Sequence, residues 1–305
     1  MDADDMKDIR LLTEILERHP LESLSKIAEL EGISYTKLRK IYMAHYGKDV
    51  LVSAEYSIAK IGLDSYVAFL GLSGEDMVKA VAELERNPFV AYMNSVFGGI
   101  NGLSLVLHVP VEQRKYVEEL LSRFTDRYEY HPVRSTRSKD EPKFGRWDLS
   151  YDYARLMDIL KINARTPISK IAAALNKTRP TVSYMISRLI ERGIIVGFSS
   201  TIDVDVYESA IVGISKDFPE EVLKRYSSYE TIVGRLPGVG YITWVFLTPK
   251  DNAGYKMIEL GQYFNRIMLE YFKPFREINE RKLGNRFSTM VRPDGSGYKS
   301  ILEFV

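Results

Sequence analysis

The sequence predicts an α+β chain made of two tandem copies of one unit, a winged helix-turn-helix followed by a ferredoxin-like βαββαβ domain. Three observations carry this. "LSKIAEL" at Leu24 to Leu30 returns as "ISKIAAAL" at Ile168 to Leu175, 144 positions later in a chain of 305 residues. Each copy opens on short segments of helical apolar spacing and then changes to strand-like stretches alternating with helices. The length is that of roughly two domains of about 150 residues, each able to build its own core.

The elements follow in order. Leu12, Ile15 and Leu16 fall on Leu156, Ile159 and Leu160 at the shift of 144, an apolar set at helical spacing. Ser34 falls on Thr178, and each precedes an amphipathic segment, Leu38, Ile41 and Tyr42 in one copy and Val182, Met185, Ile186 and Leu189 in the other. Ser and Thr cap helices because the hydroxyl accepts a bond from an otherwise unpaired first-turn amide. Pro180 suits a first turn, where its missing donor costs nothing. Glu31-Gly32-Ile33 and Asn176-Lys177 supply the sharp corners between second and third helices. Gly193 ends the last helix, and "IIVGFSSTIDV" around Gly197 reads as a two-stranded wing.

After each head the period changes. In the first copy, residues 56–72 read as a strand, 75–88 as a helix, 89–99 and 103–110 as strands, 111–124 as a helix and 126–133 as a strand. The second copy repeats this as strand 208–217, helix 219–230, strands 231–239 and 241–249, helix 255–272 and strand 275–282. Leu105, Leu107 and Pro110 match Trp244, Phe246 and Pro249 at a shift of 139. The order βαββαβ is that of the split ferredoxin-like unit. The chain divides accordingly into a first head at 1–52, a first βαββαβ domain at 53–133, a linker at 134–147, a second head at 148–204, a second βαββαβ domain at 205–282 and a tail at 283–305.

Composition bounds the function. The chain is 45% hydrophobic and 27% charged, enough apolar surface to fold. Forty-two Lys and Arg against forty-one Asp and Glu give a net charge of +1, so nucleic-acid binding must rest on local patches. Zero cysteines exclude disulfides and thiolate sites. No window approaches the roughly 18 apolar residues of a membrane span, so a cytoplasmic protein without membrane contact is expected. His19, His45, His108 and His131 show no metal spacing, and no Gly-rich phosphate loop, nucleophile elbow or paired-carboxylate signature is present. No metal, no cofactor and no catalytic residue are expected.

A winged helix-turn-helix followed by a βαββαβ domain resembles the leucine-responsive (Lrp/AsnC) family of transcriptional regulators. The carriers are "ISKIAAALNKTRPTVSYMISRLIERGIIVGF" at Ile168 to Phe198 and "AKIGL" at Ala59 to Leu63. In that family two chains pair through their βαββαβ domains, so the resemblance implies a covalent pseudo-dimer that regulates transcription and is not an enzyme. The second head would read double-stranded DNA with Lys177, Arg179, Thr181, Ser183, Tyr184 and Arg188, and the first with Lys37, Arg39 and Lys40. The bland alternative is a solvated helix face; cap, turn, wing and duplication favour DNA contact in the second head. Tyr42, His45 and Tyr46 leave open whether the first head has become a packing element.

Relatives often bind an amino-acid effector at a Gly-containing turn between the second and third strands. That places effector candidates at Gly98, Gly99 and Asn101 and at Gly238, Gly240 and Tyr241, although neither turn keeps the family's Asp and the glycines serve a tight turn equally well. Some proteins of this layout are siroheme decarboxylases, which use basic and His residues in the βαββαβ cavity to hold tetrapyrrole carboxylates; the absence of His from the second half argues against that reading here. A non-catalytic oligomerising scaffold is a third reading, and further homo-oligomerisation is open. The basic linker Arg134 to Asp148 reads as a solvated tether or a phosphate-tracking strap. The tail "YKSILEFV" is expected to return as an edge-covering strand.

Overall fold

The computed structural model describes residues 3–136, 140–202, 207–284 and 286–304. The first head comprises α1 (Ala3–Arg18), α2 (Leu24–Leu30) and α3 (Tyr35–His45), followed by strand β1 (Val50–Tyr56). Ser23 caps α2 by accepting from the Lys26 amide at 3.2 Å. Leu12, Ile15, Leu16, Ile27, Leu38 and Ile41 close the head's core. The first βαββαβ unit is β2 (Leu63–Gly71), α4 (Gly74–Arg86), β3 (Val90–Gly98), β4 (Gly102–Pro110), α5 (Val117–Ser122) and β5 (Tyr128–Pro132), extended by β6 (Arg134–Ser135).

The second copy repeats the plan. Its head is α6 (Tyr151–Ile162), α7 (Ile168–Leu175) and α8 (Arg179–Glu191), then β7 (Ile195–Ile202). Asn176 turns the corner at φ 52°, and Thr178 caps α8 by accepting from Thr181 N at 3.3 Å, with Pro180 in the first turn. Its βαββαβ unit is β8 (Ser209–Ser215), α9 (Glu220–Arg225), β9 (Thr231–Leu236), β10 (Gly240–Leu247), α10 (Ala253–Gly261) and β11 (Arg266–Tyr271); α11 (Arg276–Gly284) and α12 (Arg286–Met290) follow.

Two pairings join the halves. β1 and β7 form an antiparallel ribbon running from Val50 opposite Ile202 to Ala54 opposite Phe198, so each head's strand takes its partner from the other half. Asp203 and Val204, the end of the expected wing segment, lie outside the described residues. The remaining strands form one sheet in the order β5-β2-β4-β3-β11-β8-β10-β9-β6. Its two ends, β5 and β6, are one stretch of chain interrupted only by Val133, so the sheet closes on itself as a barrel. Val67, Phe69 and Val96 from one half meet Val212, Ile214, Leu236, Ile242 and Met268 from the other on its inward face. The outward faces carry the helices, over Leu103, Leu105 and Leu107 in one half and Ile211, Val245 and Leu247 in the other.

The structure corrects the sequence reading in several places. Gly102 pairs with Gly71 at the start of β4, and Gly240 opens β10 with the same positive φ (152° and 141°), so the halves align here at a shift of 138 rather than 139. One residue matters in a strand, because it moves every side chain to the opposite face: His108 corresponds to Phe246, and Val106 to Trp244. The helix expected over 255–272 ends at Gly261, and the strand expected over 275–282 is Arg266–Tyr271 instead, with helix α11 after it.

Among its described residues the tail makes no edge strand. It packs on the first βαββαβ unit, with Tyr298 Oη donating to the Ile61 carbonyl at 2.7 Å and Asn87 Nδ2 to the Ile301 carbonyl at 2.9 Å. The linker is pinned rather than a free tether: Arg134 is held by Asp64 and Glu141, and Phe144 lies under the Arg114 guanidinium at 4.4 Å. Arg137 and Lys139 lie outside the described residues. Among the described residues no helix is long and apolar enough to cross a membrane.

Candidate functional site

Strand alternation decides which side chains face into the barrel. On β4 the odd residues Leu103 to Val109 join the helix-covered core, which turns Ser104, Val106 and His108 inward. On β5, His131 pairs with inward Val67 and Glu129 with inward Phe69. On β11, Met268 faces inward, and Arg266 and Glu270 lie on the same side, two residues away in each direction. Asn94 is paired with Ser104 on the neighbouring strand.

These polar groups make a lopsided set. Glu270 is buried in a ring of neutral donors, with Trp244 Nε1 at 3.4 Å and Asn94 Nδ2 at 3.5 Å. Burial pushes its carboxyl up to about 7, against weaker lowering by hydrogen bonds from Ser104, Trp244 and Asn94. Among the described residues no cation is hydrogen-bonded to it, so the carboxyl exchanges its proton near neutrality. Arg266 is paired with Glu129, and its guanidinium stands 5.6 Å from the Phe69 ring centroid. His108 is half-buried beside Ser65, and its Nδ1 is buried without a hydrogen-bond partner among the described residues. His131 is half-exposed one inward step along the same sheet.

The first half thus supplies both imidazoles, where the pseudo-equivalent positions of the second half carry Phe246 and Met268. The second half supplies the buried acid Glu270, where the first carries Val133. Fusion of two copies permits this division, which two identical chains could not make. The arrangement can hold carboxylates on Arg266 and the imidazoles, and can deliver a proton from Glu270 or His108.

The residues that sequence reading singled out lie elsewhere. Arg179, Thr181, Ser183, Tyr184 and Arg188 all project from the exposed face of α8; Tyr184 is 60% exposed and accepts from Arg188 Nη1 at 3.3 Å. Lys177 is tied to Asp152 at 2.8 Å. Lys37, Arg39 and Lys40 project likewise from α3, while Tyr46, which ends that helix, donates to Asn163 Oδ1 at 2.6 Å and fastens the first head to the second.

The two Gly turns are backbone devices. A Cβ on Gly98 would stand 2.9 Å from the Ile267 carbonyl, and one on Gly99 2.6 Å from Arg266 Nε; Asn101 Oδ1 closes the turn by accepting from Gly98 N at 3.0 Å. Gly238 has φ 78°, a Cβ on Gly240 would stand 2.1 Å from the Ser215 carbonyl, and Tyr241 packs edge-on against Phe218. Sequence reading missed Glu129, Arg266 and Glu270: in "RIMLEY" at Arg266 to Tyr271 the two charged residues lie four apart, a spacing that shares one face in a helix and in a strand alike.

Comparison with known proteins places these residues among chains of similar fold. A family model described as winged helix-turn-helix DNA-binding matches residues 155–196. The crystal structure of the siroheme decarboxylase NirDL is similar over 90% of this chain and 99% of its own, at 16% identity and a TM-score of 0.60. The same enzyme in co-complex with an iron-uroporphyrin III analogue is similar over 91% and 99%, at 16% identity and a TM-score of 0.56. The structure of E. coli AsnC covers 45% of this chain and 97% of its own, at 15% identity and a TM-score of 0.32. No curated protein matches the sequence. The tandem fold is therefore shared with an enzyme over 90% of this chain, which contradicts the expectation that a chain of this layout is not an enzyme.

Proposed function

We propose that the chain is an enzyme of the siroheme-decarboxylase type, which takes a polycarboxylated tetrapyrrole as substrate at the inward face of its barrel and removes carboxyl groups as CO2. The observation that carries this reading is the asymmetric set of His108, His131, Arg266 and Glu270 on one face of the closed sheet. The full-length likeness to the siroheme decarboxylase supports it. Decarboxylation breaks the bond between carbon and carboxylate; the electron pair stays on the carbon, CO2 leaves, and the carbon takes up a proton. A carboxyl held at about 7 is suited to give that proton, because an acid works best with its pKa near the operating pH. Arg266, kept in place by Glu129, and the open Nδ1 of His108 are the groups that would hold substrate carboxylates. Ser104 and His108 are four residues apart on β4, roughly 13 Å along an extended strand, a separation that a wide polyacid spans and a single small acid does not. Titration with siroheme, followed by absorbance, tests the reading. A saturable spectral change that is lost in His108→Ala and His131→Ala supports it, and an unchanged spectrum overturns it.

A second reading rests on a different surface. The exposed face of α8, within the segment matched by the DNA-binding family model, supports contact between Arg179, Thr181, Ser183, Tyr184 and Arg188 and double-stranded DNA, with Lys177, Lys37, Arg39 and Lys40 on phosphates. Barrel and heads do not compete for the same residues. The glycine turns, Gly98 to Asn101 and Gly238 to Tyr241, are read as turn formers rather than as an amino-acid site.

A further inference from the structure

Behind the first βαββαβ unit, on the side away from the barrel's inward face, the end of α4 and the start of β3 meet the C-terminal helices α11 and α12 around a cavity of about 170 Å³. Its polar lining is Glu85, Arg86, Arg281, Lys282, Arg286 and Thr289, four cations against one acid. The single acid is used: Glu85 takes both the Nε and the Nη2 of Arg281, at 3.0 and 2.7 Å. Lys282 spends two protons on the carbonyl oxygens of Leu84 and Asn87, at 2.8 and 2.9 Å.

Arg286 is different. It is 5% exposed, and among the described residues its Nε and Nη2 have no hydrogen-bond partner. Burial pushes its pKa down to about 10, which still leaves the guanidinium charged at neutral pH. A buried cation without an acid is costly, and natural interiors pair such groups or present them to a ligand. Its backbone is fixed independently, because Asp158 accepts from the amides of Phe287 and Ser288 at 2.7 and 3.0 Å at the start of α12.

We infer that this cavity is an oxyanion site, in which a phosphate or carboxylate group sits on the Arg286 guanidinium with Arg86 and Lys282 at its rim. Planar donors in a fixed fork suit both oxyanions. The volume is below the roughly 300 Å³ at which pockets begin to enclose whole organic ligands, so the site takes a single anionic group and not a macrocycle. It is independent of the tetrapyrrole reading. Occupancy would fasten α12 and the tail to the first unit, and so would show as stability.

Thermal unfolding of the full chain in sodium phosphate, sodium acetate and sodium chloride at matched ionic strength tests it, with Arg286→Met and Arg86→Gln as variants. The expected result is a saturable rise in Tm with phosphate or acetate beyond that in chloride, absent in Arg286→Met and shifted to about tenfold higher concentration in Arg86→Gln, the factor that 1.4 kcal/mol represents. The anion that saturates at the lower concentration identifies the group. A wild-type response to both anions equal to that in chloride overturns the site. If Arg286→Met does not fold, an unshifted half-saturation in Arg86→Gln overturns it alone. Siroheme titration of Arg86→Gln should match wild type, which separates this test from that of the barrel.

Discussion

Replacing Glu270 by Gln should stabilise the protein at high pH and leave it nearly unchanged at low pH. Glu270 is 4% exposed and meets only neutral donors. Its carboxyl is raised from 4.5 to about 7, so the folded state holds the proton more tightly than the unfolded chain. The sign follows from linkage: the stability gained from the bound proton is fully present below pH 4.5 and is lost as pH rises through about 7. At ~1.36 kcal/mol per pH unit the loss across that window is about 3 kcal/mol. Gln keeps the shape of the protonated acid and has nothing to lose. Urea unfolding of wild type and variant at pH 4 and pH 8.5, followed by Trp emission, should give a difference near zero at the first pH and about 3 kcal/mol in favour of the variant at the second. A difference that does not change with pH would refute the claim that an uncompensated acid lies inside the barrel.

Gly102→Ala should destabilise by at least about 1–3 kcal/mol, because φ there is 152° and the new Cβ would lie 2.1 Å from the Leu70 carbonyl; a urea midpoint equal to wild type would contradict the register at the β2–β4 end. Arg179→Ala with Tyr184→Ala removes two exposed groups from α8 and should abolish sequence preference in a selection from random duplexes, with retained preference excluding this helix as the reader.

The helical heads were legible because their signals are local. Thr178 caps where a hydroxyl should and Asn176 turns where Gly or Asn is needed, whereas Ser34, the expected counterpart of Thr178, makes no side-chain cap bond. The division of labour inside the barrel was not legible, for two physical reasons. A slip of one residue between Leu105 and Trp244 exchanges inward and outward faces, and it hid the correspondence of His108 with Phe246. The run from Tyr255 to Phe272 spaces its apolar residues as a long helix would, so the strand that carries Arg266 and Glu270 was absorbed into it. Only the pairing of β11 with both β3 and β8 brings Glu270 to Asn94 and Trp244, and such contacts, 176 and 26 residues apart in the chain, leave no trace in local periodicity. The lack of His in the second half, taken by itself, argued against tetrapyrrole chemistry; in the closed barrel one half's imidazoles serve the site formed by both.

The most direct test incubates the purified chain with siroheme and follows the tetrapyrrole by mass spectrometry, alongside His108→Ala and Glu270→Gln. The account predicts products that have lost one or more carboxyl groups as CO2 with wild type, and slower or no loss with the two variants. Siroheme recovered intact from wild type, under conditions where its absorbance reports binding, would contradict it.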